Sequence, residues 1–214
     1  SFPTRRSSDL AFRGSPTQAS ATLSRPAEEG MYVVTVSFGA DDVDSVTTVK
    51  AEARRLLALN VAVPKGQTVT RRFLVDVRRP EYAGGRVAIK TRENGAPDWD
   101  DQLSLEVLGA TARAKVVSVV AAPAATVRIF LAGDSTMTDQ AREPYVGWGQ
   151  AFPLFIGERA VVANHAESGR ALRSFQGEHR LDKILAQLRK DDFVLIQFGH
   201  NDQKEKGEGV GAFT

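Results

Sequence analysis

The sequence predicts an all-β sandwich followed by an α/β unit, and three observations carry that prediction. Period-two alternation runs from Met31 to about Val120. The period changes at Thr126, where near-continuous apolar runs begin. Two of those runs then frame one amphipathic helical stretch, the order expected of a parallel sheet with its crossover helix.

The first half justifies its strands one by one. MYVVTVSFG, residues 31–39, places Tyr32, Val34 and Val36 on one face. TVTRRFLVDV, residues 68–77, places Val69, Phe73, Val75 and Val77 on one face and Thr70, Arg72 and Asp76 on the other. RVAIK and QLSLEVLG repeat the alternation. PKGQ, RPEYAGG and ENGAPDWDD lie between these runs and supply the Pro, Gly, Asn and Asp of turns. So many half-buried strands call for a β-sandwich. The predicted sandwich covers 31–120, with 11–30 an irregular remnant before it and 121–126, around Pro123, a linker after it. There is no internal repeat.

The second half, 127–214, reads differently. TVRIFLAGD, residues 126–134, holds a near-continuous apolar run that ends at Gly133, as a strand covered on both faces should. RAVVANHA and DDFVLIQFG are two further strand candidates. Between them, EHRLDKILAQLRK sets Leu181, Ile184, Leu185 and Leu188 on one helical face. Ligands of such sheets bind beyond the carboxyl ends of the strands.

Composition narrows the function classes. At 214 residues, 42% hydrophobic and 25% charged, the chain is of ordinary globular make-up. Its 28 basic and 26 acidic side chains give no basic surplus to recommend a nucleic-acid partner. No apolar run is long enough for a membrane span, and no stretch has the charged, apolar and small-residue order of a signal peptide. The chain has no cysteine, which excludes disulfides, thiolate metal sites and a cysteine nucleophile. No spacing of His, Asp and Glu marks a metal site, and the acidic run DDVD at Asp41–Asp44 reads as a turn.

Each α/β strand candidate ends in a small polar cluster: GDSTMTD at 133–139, NHAESGR at 164–170 and GHND at 199–202. This order of G-D-S, a later glycine and G-x-N-D resembles the block order of the SGNH, or GDSL-like, hydrolases. The resemblance implies a three-layer α/β fold on a flavodoxin-like parallel sheet. It also implies that Ser135 is the nucleophile and that the backbone N–H groups of Ser135 and Gly169, with the Asn201 side-chain amide, form the oxyanion hole. The residue types fit acyl transfer. A serine hydroxyl attacks an ester carbonyl once a base takes its proton, glycine lets backbone approach the substrate, and an asparagine amide donates without titrating. The G-x-S-x-G elbow of another hydrolase class is absent.

A finer resemblance is to bacterial rhamnogalacturonan acetylesterase-like proteins. It rests on D-S-T-M at 134–137, G-W-G at 147–149, N-H-A-E-S-G-R-A-L-R-S-F at 164–175 and F-G-H-N-D at 198–202. The stretch from Met31 to Gly109, including T-V-K-A-E-A-R-R-L, resembles the galactose-binding-like sandwich that often precedes such domains. The resemblance implies a secreted or periplasmic esterase that removes acetyl groups from pectic polysaccharide with no cofactor, while the spacing, charge and hydropathy above give no expectation of a metal, nucleic-acid or membrane partner. Another SGNH esterase, lipase or thioesterase activity, or a carbohydrate-binding role without catalysis, stays open at this point, as does the oligomeric state.

Neighbouring residues have plainer readings. Asp134 and Asp202 are expected to brace their loops, His200 to be structural, and His165 and His179 to be ordinary polar histidines. Tyr82 and Trp99 sit in predicted loops as sugar-stacking or packing aromatics, and Arg170 and Arg173 are candidates to face a uronate carboxylate. The D-x-x-H block that supplies the class's base and its orienting carboxylate has no match in the 214 residues. Residues 1–10, SFPTRRSSDL, resemble a translated sequencing adapter, and the chain breaks off at GEGVGAFT. The expectation is a fragment that ends before the fourth block and is inactive alone, with part of its α/β core exposed.

Overall fold

The computed structural model describes residues 10–13 and 21–204. GEGVGAFT and nearly all of the adapter-like stretch lie outside the described residues; Leu10 alone of that stretch lies within them.

The first part contains β1 (Leu10–Arg13), β2 (Ala21–Pro26), β3 (Gly30–Phe38), β4 (Ser45–Ala51), β5 (Arg55–Val63), β6 (Val69–Val77), a two-rung hairpin β7 (Glu81–Tyr82) and β8 (Gly85–Arg86), β9 (Gln102–Leu108) and β10 (Arg113–Ala121). Two antiparallel four-stranded sheets, ordered β1-β10-β3-β6 and β2-β9-β4-β5, share one core. Val34, Val36, Phe38, Phe73, Val75 and Val77 fill it from one side, and Val49, Leu57, Leu103, Leu105 and Val107 from the other.

Some strand expectations need correction. Ala21–Pro26, expected to be irregular, is a strand paired antiparallel along its length with β9. Its only large apolar residue is Leu23, so backbone pairing holds it in place without an alternating signature. RVAIK, expected to be a strand, contributes only Arg86 to β8; residues 87–90 are irregular, with Val87 buried, the Ile89 N–H turned back to Val87 O (2.9 Å) and the Ala88 N–H donating to Glu178 O of the second part (2.9 Å). Asp76, predicted to face solvent, is only 3% exposed because the second part covers this end of β6. Thr70 and Arg72, farther along the same strand, are exposed as expected.

The second part contains β11 (Arg128–Gly133), α1 (Trp148–Ile156), β12 (Val161–Asn164), α2 (Leu172–Gly177), α3 (Arg180–Gln187) and β13 (Phe193–Gln197). The three strands are parallel in the order β12-β11-β13. Successive residues of β11 serve opposite faces. Leu131 packs with Met137, Val162, Phe152 and Ile156 on the α1 side, whereas Phe130 and Ala132 pack with Phe175 and Ile184 on the α2 and α3 side. The result is a helix–sheet–helix arrangement with β11 in the middle.

On α3 the predicted apolar face is only half used. Ile184 is fully buried and Leu181 packs beside it, but Leu185 is 57% and Leu188 38% exposed. The helix instead turns Arg180 and Lys183 inward, where they meet Glu93 and Glu29 of the first part. Phe193 and Ile196 on β13, an edge strand among the described residues, are exposed, as are Leu185 and Leu188.

Candidate active site

The sheet order sets the geometry of the site. With β11 central, the chain turns one way to β12 and the other way to β13, and the three polar clusters emerge at the same carboxyl edge. Short hydrogen bonds tie the three loops together. The Glu167 N–H donates to Gly133 O (3.1 Å), and the Gln197 amide donates to the Thr136 hydroxyl (3.0 Å). The Trp148 indole N–H donates in turn to Gln197 Oε1 (2.6 Å).

Ser135 is half-buried on a loop held from within. Asp134 is 1% exposed, and its Oδ1 accepts from the Thr136 N–H (2.9 Å) and hydroxyl (2.8 Å), the bracing role expected of it. The Ser135 carbonyl accepts from the Gln140 side-chain amide (2.8 Å). Helix α1 abuts the loop because Gly147 and Gly149 have no side chain. A Cβ on Gly149 would lie 2.3 Å from Met137 O, and one on Gly147 would lie 2.2 Å from Thr138 O.

Gly169 is exposed with φ +78°, a conformation that glycine adopts at little cost. Asn201 donates one side-chain N–H to Arg170 O (3.1 Å), which ties it to the residue after Gly169 and leaves the second N–H of its amide for another acceptor. Asp202 clamps the base of this loop by accepting from the Gly199 N–H (2.8 Å) and the Leu172 N–H (2.9 Å). His200 is exposed, and no basic side chain among the described residues hydrogen-bonds the Ser135 hydroxyl.

Other candidates are placed elsewhere. Trp99 is 7% exposed, donates to Glu93 Oε1 (2.9 Å) and lies under the Arg78 guanidinium, which is 4.5 Å from its ring centre. It is a packing residue. Arg170 is bound to Glu178, so its guanidinium is already engaged. His165, expected to be an ordinary polar histidine, is fully buried between Trp99 and Phe130, and neither ring nitrogen has a hydrogen-bond partner. Burial, reinforced by Arg78 and other nearby cations, holds it well below the usual histidine range and therefore neutral. His179 is exposed and paired with Asp182 (2.8 Å).

A buried network behind the Ser135 loop has no counterpart in the motif-based reading. Arg55, at the start of β5, is 2% exposed and donates to Asp139 Oδ2 (2.6 Å), Asp98 Oδ1 (2.8 Å) and Asp76 O (2.8 Å). Asp139 Oδ1 accepts from the Asn164 amide (2.8 Å), which also donates to Met137 O (2.9 Å). Arg54 donates to Gln140 O (2.9 Å), and Gln150 donates to both Ala53 O and Gln140 O (3.0 Å each). Burial pushes the Asp139 carboxyl up to about 6, against the opposing pull of the Arg55 guanidinium. Two terminal polar residues of the motifs, Asp139 of GDSTMTD and Asn164 of NHAESGR, were the available signal for this network.

Comparison with known proteins gives relatives for part of the chain. No protein-family profile matches it. Over 83 residues it is 46% identical to rhamnogalacturonan acetylesterase RhgT of Bacillus subtilis, covering 38% of this chain and 36% of that protein. Over 74 residues it is 39% identical to a rhamnogalacturonan acetylesterase of Emericella nidulans, covering 35% and 28%. The uncharacterized esterase YxiM of Bacillus subtilis is 28% identical over 197 residues, covering 83% and 52%. A crystal structure of YxiM covers 85% of this chain and 46% of its own at 24% identity, with a TM-score of 0.36, too low to carry a fold argument. The chain spans between about a quarter and about half the length of these curated relatives. All three relatives are thus named as esterases, two of them as rhamnogalacturonan acetylesterases.

Proposed function

We propose that this chain carries the nucleophile and oxyanion hole of a serine esterase that removes O-acetyl groups from a pectic polysaccharide. The observation that carries the reading is the convergence of Ser135, Gly169 and Asn201 on one sheet edge, in loops bound directly to one another. The similarity to rhamnogalacturonan acetylesterases supplies the substrate class. Ser135 attacks the acetyl carbonyl, and the resulting oxyanion is held by the Ser135 and Gly169 N–H groups and the second N–H of the Asn201 amide. Collapse of that tetrahedral intermediate breaks the ester C–O bond and releases the sugar hydroxyl, which takes up the proton lost by Ser135, and water then hydrolyses the acetyl-enzyme to acetate and free Ser135. A secreted or periplasmic setting and a galactose-binding-like role for the sandwich belong to the same proposal.

With no D-x-x-H block in the sequence, the isolated chain is expected to turn over negligibly unless a base is supplied from outside. Acetate release from acetylated rhamnogalacturonan, followed with imidazole as external base, tests this. Release above the imidazole background should disappear in Ser135→Ala and fall to a small remainder in Asn201→Ala, since one oxyanion donor contributes about 10²–10³ in rate. Equal release from wild type and Ser135→Ala would remove Ser135 from the mechanism.

A further inference from the structure

A cavity of about 590 Å³ opens where the two parts of the chain meet, within the size range of small-molecule sites. One wall is the β4–β5 turn with the 96–99 segment, and the other is formed by residues 139–145 and 166–168. The cavity borders the candidate active site. Gln140, on its wall, donates to the Ser135 carbonyl (2.8 Å), and Ser168, which also donates to Gln140 Oε1 (3.4 Å), directly precedes Gly169. Ser135, Gly169 and Asn201 do not themselves line the cavity; a ligand seated here would touch the segments that directly follow Ser135 and precede Gly169.

The charge arrangement selects the ligand. The acids of the wall are already engaged: Asp98 and Asp139 by Arg55, Glu93 by Arg180, and Glu167 by Arg92. Burial lifts the remaining one, Glu52, to about 8, so it is mostly neutral at pH 7. Arg142, by contrast, is exposed at the rim and has no acidic partner among the described residues. Tyr145, also lining the cavity, is 68% exposed. A free guanidinium with an exposed aromatic ring matches a pyranose that carries a carboxylate, with ring stacking on the sugar's apolar face and charge-assisted hydrogen bonds to the acid.

We propose that this cavity is a subsite for a uronate residue of the polymer, with Arg142 and Tyr145 as its contacts. The proposal rests on the pectic reading of the substrate. It is tested by binding rather than turnover, so its failure is distinguishable from failure of the esterase reading.

Calorimetric titration of the 214-residue chain with trigalacturonate should show saturable binding that weakens as salt rises from about 0.05 to about 0.5 M, and no binding of neutral galactotriose. Arg142→Ala and Tyr145→Ala, both at exposed positions, should each weaken trigalacturonate binding about tenfold while the circular dichroism spectrum stays unchanged, and Arg142→Lys should recover part of the loss. Absence of trigalacturonate binding, equal binding of galactotriose, or unchanged affinity in both alanine variants would overturn the subsite.

Discussion

Glu52→Gln should make stability less dependent on pH, and the effect can be worked from the geometry. Glu52 is 7% exposed at the β4–β5 turn; one carboxyl oxygen accepts from the Ser104 N–H (2.9 Å), and the other is buried without a partner. Burial, resisted by Arg55 and the Ser104 bond and aided by Asp98 and Asp100, raises its carboxyl from 4.5 to about 8. The folded state thus binds this proton more tightly than the unfolded state. The group's favourable contribution is complete below the unfolded value and is lost as pH rises through the folded one. At about 1.36 kcal/mol per unit, folding gives up roughly 1 kcal/mol by pH 5 and roughly 3 kcal/mol by pH 7. Glutamine keeps the acceptor for Ser104 and does not titrate. Urea unfolding at pH 5, 6, 7 and 8 should therefore show the variant gaining on wild type by about 2 kcal/mol between pH 5 and pH 7. A difference that stays constant across that range would refute a buried, neutral Glu52.

The network behind the Ser135 loop gives two further predictions. Arg55→Met removes the cation while leaving Asp98 and Asp139 in place, so it should cost about 3–5 kcal/mol in urea unfolding at pH 7. A loss below about 1 kcal/mol would mean that the carboxylates find other partners. Gly149→Ala drives a methyl group to 2.3 Å from Met137 O and 2.8 Å from the Asn164 amide, and overpacking of this kind costs about 1–3 kcal/mol. Amide resonances of Thr136–Asp139 should shift with it, whereas Gly177→Ala, whose Cβ would meet nothing within 4 Å, should leave both stability and those resonances near wild type.

What the sequence made legible followed from local periodicity and short motifs. Val34, Val36, Phe73, Val75 and Val77 sit in the core as alternation predicts, because one face of each strand is buried against the other sheet. The apolar run of β11 was readable because both of its faces are covered. The β2 strand was not, since an edge strand held by backbone pairing needs only one inward residue, Leu23. Asp76 was placed by alternation on the face away from the core, and nothing in the helical pattern singled out Arg180 or Lys183. They are buried because two units meet there, and no local pattern reports a contact between residues as far apart in sequence as Asp76 and Arg128 or Glu81 and Lys183. Ser135, Gly169 and Asn201 were visible as motif residues; Arg54 and Arg55, which hold the serine loop, lie in T-V-K-A-E-A-R-R-L, where nothing local marks them as its partners, and Gln140 follows its motif by one residue.

The position of Arg55 bears on why the sandwich and the esterase-like part are joined. A buried ion pair repays its desolvation cost only when its geometry is good, and an apolar replacement of similar volume is often as stable. Stability alone therefore gives weak reason to bury Arg55. Orientation gives a stronger one. One guanidinium fixes Asp139, Asp139 fixes Asn164, and Asn164 holds Met137 O on one loop while accepting from the Ala166 N–H on the next (3.2 Å). The turn that delivers Arg55 keeps two non-glycine residues, Glu52 at φ 52° and Arg54 at φ 65°, in the left-handed region, a local cost that the packed surroundings must over-determine. Strain and buried charge thus coincide on the short segment of the sandwich that touches the Ser135 loop, which is where a device for setting loop geometry would be placed. On this argument the sandwich serves the candidate site as a support, and the serine loop owes its shape to residues about 80 positions before it.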